Sequence, residues 1–386
     1  ISTIMYTSGT TGQPKGAIIT HGMTFWNCVN LGGPAYISPA SVLLTVLPLF
    51  HTGGLNCYTN PVLHAGGTVL IMRAFDPGEA LKLIGDPSQG INVFFGVPAI
   101  YQFMAQHPSF ATADFSRLMI GGVGGAPMPV PLLKTWEARG VALQQGYGMT
   151  ETSPAVMVLD REDAARKAGS SGKPVLHTEV RIVRPDGSDA AIGELGELWV
   201  KGPNITPGYW NRPDANASSF TDGWLHTGDV GTIDNEGFVK ITDRMKDIII
   251  TSGGKNITPS EIENQLKFSP YVSDAVVIGD KRPYLTCLIM IDQENVEKYA
   301  QDQDIPFTNY ASLCRAREIQ DLIHREVEAV NAKFARVETI KKFYLIERQL
   351  TPEDEELTPT MKLKRSFVNK RYAAEIDAMY GERAVA

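Results

Sequence analysis

At 386 residues, 43% hydrophobic and 20% charged, the chain is long enough to bury two or three domain cores. Its net charge of −7 sets it against a general nucleic-acid binder, which would be basic, and no apolar run reaches the length of a transmembrane segment. Four scattered cysteines, Cys28, Cys57, Cys287 and Cys314, form no CxxC pair and read as buried thiols of a reducing, cytoplasmic setting. The chain opens on Ile1 with no basic leader before an apolar stretch, so it is read as a fragment or processed form of a cytosolic protein.

In chain order, VLLTVLPLF (42–50), GTVLIM (67–72), INVFFGV (91–97), RLMIGG (117–122) and VALQQG (141–146) are short apolar runs that end in glycine- or proline-rich turns. Helical stretches such as GEALKLIG and PLLKTWEARG lie between them. That alternation predicts an α/β large domain built on parallel sheet. Beyond Ser170 the texture becomes antiparallel, with TEVRIVRPDG, GELWVKG and VGTIDNEGFVKITDR. If Ile233 faces Phe238 across DNEG, Asp229 and Arg244 fall at the same end of that hairpin. The expected large domain is residues 1–243, with 170–243 as its antiparallel part. A hinge at 244–247 then leads to a small α+β domain over 248–386. There Thr258-Pro259-Ser260-Glu261 predicts a capping box opening a helix through Leu266. YVSDAVVIGD and YLTCLIMID read as paired strands, residues 294–338 as mainly helical, and YLIERQL as another strand.

The first chemical signal is YTSGTTGQPKG, Tyr6 to Gly16. Glycines expose backbone N–H groups, hydroxyls donate hydrogen bonds and Lys15 adds a cation, which together suit phosphate. The loop is not Walker A, because Pro14 precedes Lys15 and Gly16 follows it. It resembles the phosphate loop of the adenylate-forming (AMP-binding) superfamily, which includes acyl-CoA synthetases, luciferases and peptide-synthetase adenylation domains. The resemblance continues in order through GGAP (124–127), GYGMTE (146–151), GELGEL (193–198), WLHTGD (224–229), DRMKDIIITSGGKN (243–256) and TPTMKLKR (358–365).

The resemblance implies an AMP-forming acyl-CoA ligase with ATP, Mg²⁺ and coenzyme A. Thr7, Ser8, Gly9, Thr10, Thr11, Gly12 and Lys15 would grip the phosphates. Gly124, Gly125, Ala126, Gly146, Tyr147 and Gly148 would form the adenine slot. Thr150 would meet the α-phosphate, Glu151 the Mg²⁺, and Asp229 with Arg244 the ribose. Lys362 is implied as the adenylation lysine, with Lys364 as its rival. The family turns its small, mobile C-terminal domain between half-reactions, a pivot matching Lys246, and Ser252, Gly253 and Gly254 would border the thiol's path. His51 with Phe50 would stand at the acid's entrance. Gly121, Gly122 and Val123 leave room for a bulky or long apolar acid, and PLFHTGGL and GGVGGAP hold no cation for an amino-acid or dicarboxylate substrate.

The expected partners are therefore a fatty or similarly apolar carboxylic acid, ATP and CoA, with no nucleic acid and with homodimerisation left open. Delivery to a carrier-protein thiol, and nucleotide binding without catalysis, remain alternatives. Members of the family carry a sizeable segment before the phosphate loop, so residues 1–386 alone are expected to be weak or inactive.

Overall fold

The computed structural model describes residues 1–7, 14–348, 350 and 364–381. The chain forms two compact units, Ile1–Ile241 and Thr242–Ala386, each with its own core.

The large unit begins with an antiparallel hairpin of β1 (Thr3–Thr7) and β2 (Lys15–Ile19), which sets Thr7 opposite Lys15. Next come β3 (Val42–Thr45), β4 (Thr68–Ile71), β5 (Val93–Gly96), β6 (Ile120–Val123), β7 (Leu143–Gly148), β8 (Ala155–Val158) and β9 (Lys173–Pro174). They make one seven-stranded sheet in the order β4-β3-β5-β6-β7-β8-β9. The first five strands run parallel, and the β7–β8 and β8–β9 pairings are antiparallel. The connecting helices have sequence reasons to start where they do. Pro77–Gly85 opens on a proline, and the Asp76 carboxylate accepts from the Glu79 N–H at 2.7 Å. Behind β5 and β6, Phe94, Tyr101 and Trp136 are fully buried. Tyr101 meets Trp136 edge to face at 5.0 Å and donates its hydroxyl to Gly122 O at 2.8 Å, so the polar tip of a core aromatic is satisfied.

A second sheet holds β10 (Glu179–Val183), β11 (Gly196–Lys201), β12 (Phe220–Thr221) and β13 (Trp224–Ile233) in the order β10-β11-β13-β12, with β14 (Val239–Arg244) pairing β13. The β10–β11, β11–β13 and β12–β13 pairs are antiparallel, the arrangement expected from the change of texture after Ser170.

In the small unit, β15 (Ile249–Ile250) and β16 (Asn256–Ile257) form a short hairpin. They precede the helix Pro259–Leu266 and the three-stranded sheet of β17 (Val272–Ile278), β18 (Leu285–Ile291) and β19 (Ile340–Leu345). Strand alternation divides the interior: Ala275 and Val277 face one core, Val276 and Ile278 the other. Both faces of β17 and β18 are covered by helices, which is why these strands read as continuous apolar runs.

Two expectations change here. The strand read at 344–350 lies earlier, at Ile340–Leu345; its first half, IKK, carries two lysines that exposure on the sheet edge permits. The helix at Pro259 has the expected extent, but Thr258 makes no side-chain cap. Instead the Asp243 carboxylate accepts from Ser260 N and Ser260 Oγ, both at 2.9 Å. A carboxylate at a helix N-terminus complements the dipole better than a threonine hydroxyl.

Candidate active site

Two motifs of the large unit, GGAP and GYGMTE, lie at the carboxyl ends of the parallel strands β6 and β7, where open α/β sheets bind ligands. β6 and β7 are hydrogen-bonded neighbours, with Gly122 beside Gln144 and Val123 beside Gln145. The chain leaves β6 through GGA, while GYG forms the end of β7, where it pairs with β8. A Cβ on Gly124 would lie 3.3 Å from Gly146 O, so these glycine runs allow two backbones to approach closely. Gly125 adopts φ +80°, a conformation that favours glycine.

Tyr147 donates its hydroxyl to Asp229 Oδ2 at 2.5 Å, joining GYG to HTGD. Asp229 is buried and sits on an irregular stretch of β13: Glu197 opposes Val230, yet Trp199 opposes His226. The extra residues bulge outward at Gly228, φ +69°, and re-aim the aspartate. Its N–H donates to Thr227 Oγ1 at 3.1 Å, while Gly228 N donates to Glu197 Oε1 at 3.0 Å.

Thr150 and Glu151 lie on the 3-10 turn Thr150–Thr152 and are both buried. Tyr209 Oη donates to Glu151 Oε1 at 2.8 Å. The Lys15 ammonium lies 5.1 Å from the centroid of the same Tyr209 ring. One tyrosine thus links the lysine of the phosphate loop to the acid of GYGMTE. Backbone pairing fixes this: Ala17 bridges Tyr209, Trp210 N donates to Gly16 O at 2.8 Å, and Thr206 N donates to Glu151 O at 2.8 Å. Asn204 secures the same turn through Nδ2, at 2.9 Å from Thr152 O and 2.8 Å from Ala155 O.

Tyr209, Thr206 and Asn204 were missed in the sequence. Their signal was NITPGYW (204–210), a polar and glycine-bearing stretch that looks like an ordinary loop until its partners are known. Ser8, Gly9, Thr10, Thr11, Gly12 and Lys362 lie outside the described residues. Among the described residues no cluster of three or more His, Cys, Asp or Glu is poised for a metal. A single buried carboxylate beside a threonine hydroxyl suits a hard cation that takes its remaining oxygens from phosphate.

His51 follows β3 on the loop leading into a π-turn at Gly53–Cys57, an irregularity common at functional sites. Its Nδ1 accepts from Gly53 N at 3.0 Å, and its crowded surroundings lower its pKa. Thr52 Oγ1 and Asn56 Nδ2 on the same segment are buried with no hydrogen-bond partner among the described residues. Asn27 ties this segment to the strand after GYGMTE: Nδ2 donates to Asn56 O at 2.7 Å and Oδ1 accepts from Ala155 N at 3.1 Å. Phe50 is 75% exposed.

Neighbouring side chains lie close against Gly121 and Gly122. A Cβ on Gly122 would lie 2.6 Å from the Tyr58 hydroxyl and 3.0 Å from Phe95, and one on Gly121 would lie 2.7 Å from Leu143. Tyr58 and Phe95 stack at 4.9 Å. Here the glycines admit neighbouring side chains, and a cavity of only about 10 Å³ remains beside Tyr58 and Phe95.

In the small unit, Arg244 donates its N–H to Asp243 Oδ1 at 2.7 Å, and Lys246 lies on the 3-10 turn Met245–Asp247. Ser252 N donates to Arg282 O at 3.0 Å, and Gly254, φ +74°, donates to Thr251 O at 2.8 Å. Ser252, Gly253 and Gly254 therefore form a defined turn. Lys364 caps the helix Arg365–Arg371 at its N-terminus, with its ammonium 5.3 Å from the centroid of the Phe367 ring.

Residues 1–210 match the model of the AMP-binding enzyme family, and residues 246–384 match that of the AMP-binding enzyme C-terminal domain. Feruloyl-CoA synthase of an Amycolatopsis species is 46% identical over 280 residues, 72% of this chain and 56% of that protein. Indoleacetate–CoA ligase of Aromatoleum aromaticum is 43% identical over 276 residues, 72% of this chain and 54% of that protein. The chain thus spans about half the length of the curated relatives it matches. Among solved structures, O-succinylbenzoate coenzyme A synthetase from Bacillus subtilis in complex with ATP and magnesium ion superimposes with TM-score 0.76 and 32% identity, covering 94% of this chain and 68% of that one. ATP-bound MatB from Rhodopseudomonas palustris gives 0.76 and 28%, covering 96% and 67%.

Proposed function

The chain belongs to the AMP-binding enzyme family, and from that premise we propose that it serves as an AMP-forming acid–thiol ligase acting on an apolar carboxylic acid. The reading rests above all on Tyr209, whose ring lies under the Lys15 ammonium and whose hydroxyl donates to Glu151, while Tyr147 donates to Asp229. A phosphate cation, a metal-type carboxylate and a ribose-type carboxylate are the groups that activation by ATP needs.

In the first half-reaction a carboxylate oxygen attacks the α-phosphorus, and the bond to pyrophosphate breaks. In the second, a CoA thiolate attacks the acyl carbon and AMP leaves. An anion meeting a polyanion needs prearranged positive charge and donors. Lys15 and the hydroxyls of the phosphate loop offset the phosphate charge, Thr150 donates to the α-phosphate, and Asp229 accepts from the ribose hydroxyls; Arg244 is given a ribose role by the resemblance of DRMKD alone. Glu151 would hold Mg²⁺, which supplies further charge neutralisation when bound. Lys362 is assigned the adenylation role by the resemblance of TPTMKLKR to the family's C-terminal motif, with Lys364 as its rival. Lys246 serves as the pivot, and Ser252, Gly253 and Gly254 line the thiol's approach.

His51 stays neutral near pH 7 and orders the acid's entrance through its bond to Gly53 N. Tyr58 and Phe95 lying against Gly122 favour a flat, ring-bearing acid over a thick branched one. The relatives named for feruloyl, indoleacetate and succinylbenzoate support that choice, and one named for long-chain fatty acids keeps linear acids in the screen. Free, buried cysteines suit a cytoplasmic enzyme.

The test is pyrophosphate release over acids graded in length and ring content, followed by mass detection of the CoA thioester. Release independent of any acid would end the ligase reading. Adenylate that builds up without thioester would redirect it to a carrier-protein thiol.

A further inference from the structure

Arg365 opens the helix Arg365–Arg371, yet its guanidinium turns inward. Nη1 donates to Val277 O at 2.6 Å and Nη2 to Glu263 Oε1 at 2.5 Å. The Glu263 side chain, 9% exposed, also accepts from Val277 N at 2.7 Å. Arg365 Nε lies 3.7 Å from Asp247 Oδ1. Burial opposes the charge on Arg365, but Glu263 and Asp247 outweigh it and hold its pKa above the ordinary value. One cation therefore joins the helix Pro259–Leu266, the strand β17 and the turn Met245–Asp247.

Stability alone does not call for such a device. A buried ion pair is a poor stabiliser beside well-packed apolar residues of the same volume. What a forked guanidinium adds is direction, since its donors accept partners only in fixed places. The turn contains a residue proposed to act in the reaction, and the helix that Arg365 itself opens lies shortly after another. Asp247 directly follows Lys246, and Arg365 comes three residues after Lys362.

We propose that Arg365, held by Glu263 and Asp247, is a positioning residue for the acid-activating half-reaction, tying the segment that bears Lys362 to the turn that bears Lys246. The proposal rests on the ligase reading above. Lys362 acts in the first half-reaction only, so loosening its anchor slows adenylate formation and spares thioester formation. A purely structural role moves both together.

The experiment uses the full chain with Arg365→Lys, which keeps the charge and loses the fork, and Asp247→Asn, which removes one partner whose side chain is 25% exposed. Acid-dependent pyrophosphate release reads the first half-reaction. Conversion of a chemically prepared acyl-adenylate and CoA to thioester reads the second. Misplacement of a reacting group by about 1 Å costs up to roughly a hundred-fold, so Arg365→Lys is expected to slow the first rate by at least about thirty-fold and leave the second within about three-fold. Asp247→Asn is expected to slow the first by about five-fold and leave the second unchanged, and it decides the matter if Arg365→Lys does not fold. An equal fall in both rates, or an unchanged first rate in a folded variant, overturns the proposal alone. A wild-type chain that adenylates no acid overturns the ligase reading and this proposal with it.

Discussion

Replacing Tyr209 with phenylalanine isolates one bond in the site, because the ring stays and only the hydroxyl goes. That hydroxyl is 2.8 Å from Glu151 Oε1, and both side chains are buried. A hydrogen bond to a charged group contributes about 1.5–3 kcal/mol, so Tyr209→Phe is expected to lower large-unit stability by about 2 kcal/mol in urea unfolding. At about 1.4 kcal/mol per decade, the same loss of orientation in Glu151 weakens Mg²⁺-dependent ATP binding roughly ten- to hundred-fold by calorimetry. The Lys15 ammonium, 5.1 Å from the ring centroid, keeps its aromatic partner in Tyr209→Phe and loses it in Tyr209→Leu. That contact is worth about 0.5–1 kcal/mol near a surface, a smaller effect that separates the two variants. A double-mutant cycle of Tyr209→Phe with Glu151→Gln should return a coupling well above about 0.5 kcal/mol. A coupling below that threshold refutes the claim that Tyr209 orients Glu151.

Three further outcomes follow from named contacts. His51 should titrate by NMR with a midpoint below 6.5: its folded state prefers the neutral ring, so its share of stability is complete above 6.5 and declines as pH falls toward the folded midpoint. A midpoint above 6.5 contradicts that. Gly122→Ala should cost about 1–3 kcal/mol by overpacking, since its Cβ would meet the Tyr58 hydroxyl at 2.6 Å, and Tyr58→Ala in the same chain should restore part of the thermal midpoint and widen the range of acids accepted; absence of any rescue assigns the clash elsewhere. Asn204→Ala should cost about 3 kcal/mol, because it strips the Thr152 and Ala155 carbonyls of donors at about 1–3 kcal/mol each, and faster amide exchange around Thr150–Thr152 is the signature to look for.

The parts of this molecule legible in sequence are those where chemistry and backbone demand coincide in one short stretch. Gly125 is glycine because its φ is +80°, and Gly124 because Gly146 O stands 3.3 Å from where a Cβ would be; a motif reader sees both at once. The parallel strands were visible because burial on both faces leaves unbroken apolar runs such as VFFG. Tyr209 was not visible, because its role depends on a partner 58 residues away and nothing in GYW announces a carboxylate. What lies against Gly121 and Gly122 was hidden for the same reason. Glycine in a strand records that something comes close, and only the fold tells whether that is a substrate or, as at Gly122, the side chains of Tyr58 and Phe95. On the proposed ligase reading, the choice of acid rests less on the glycines than on the aromatic residues packed against them, so exchanging Tyr58 should alter the acid profile more than any change in the phosphate loop.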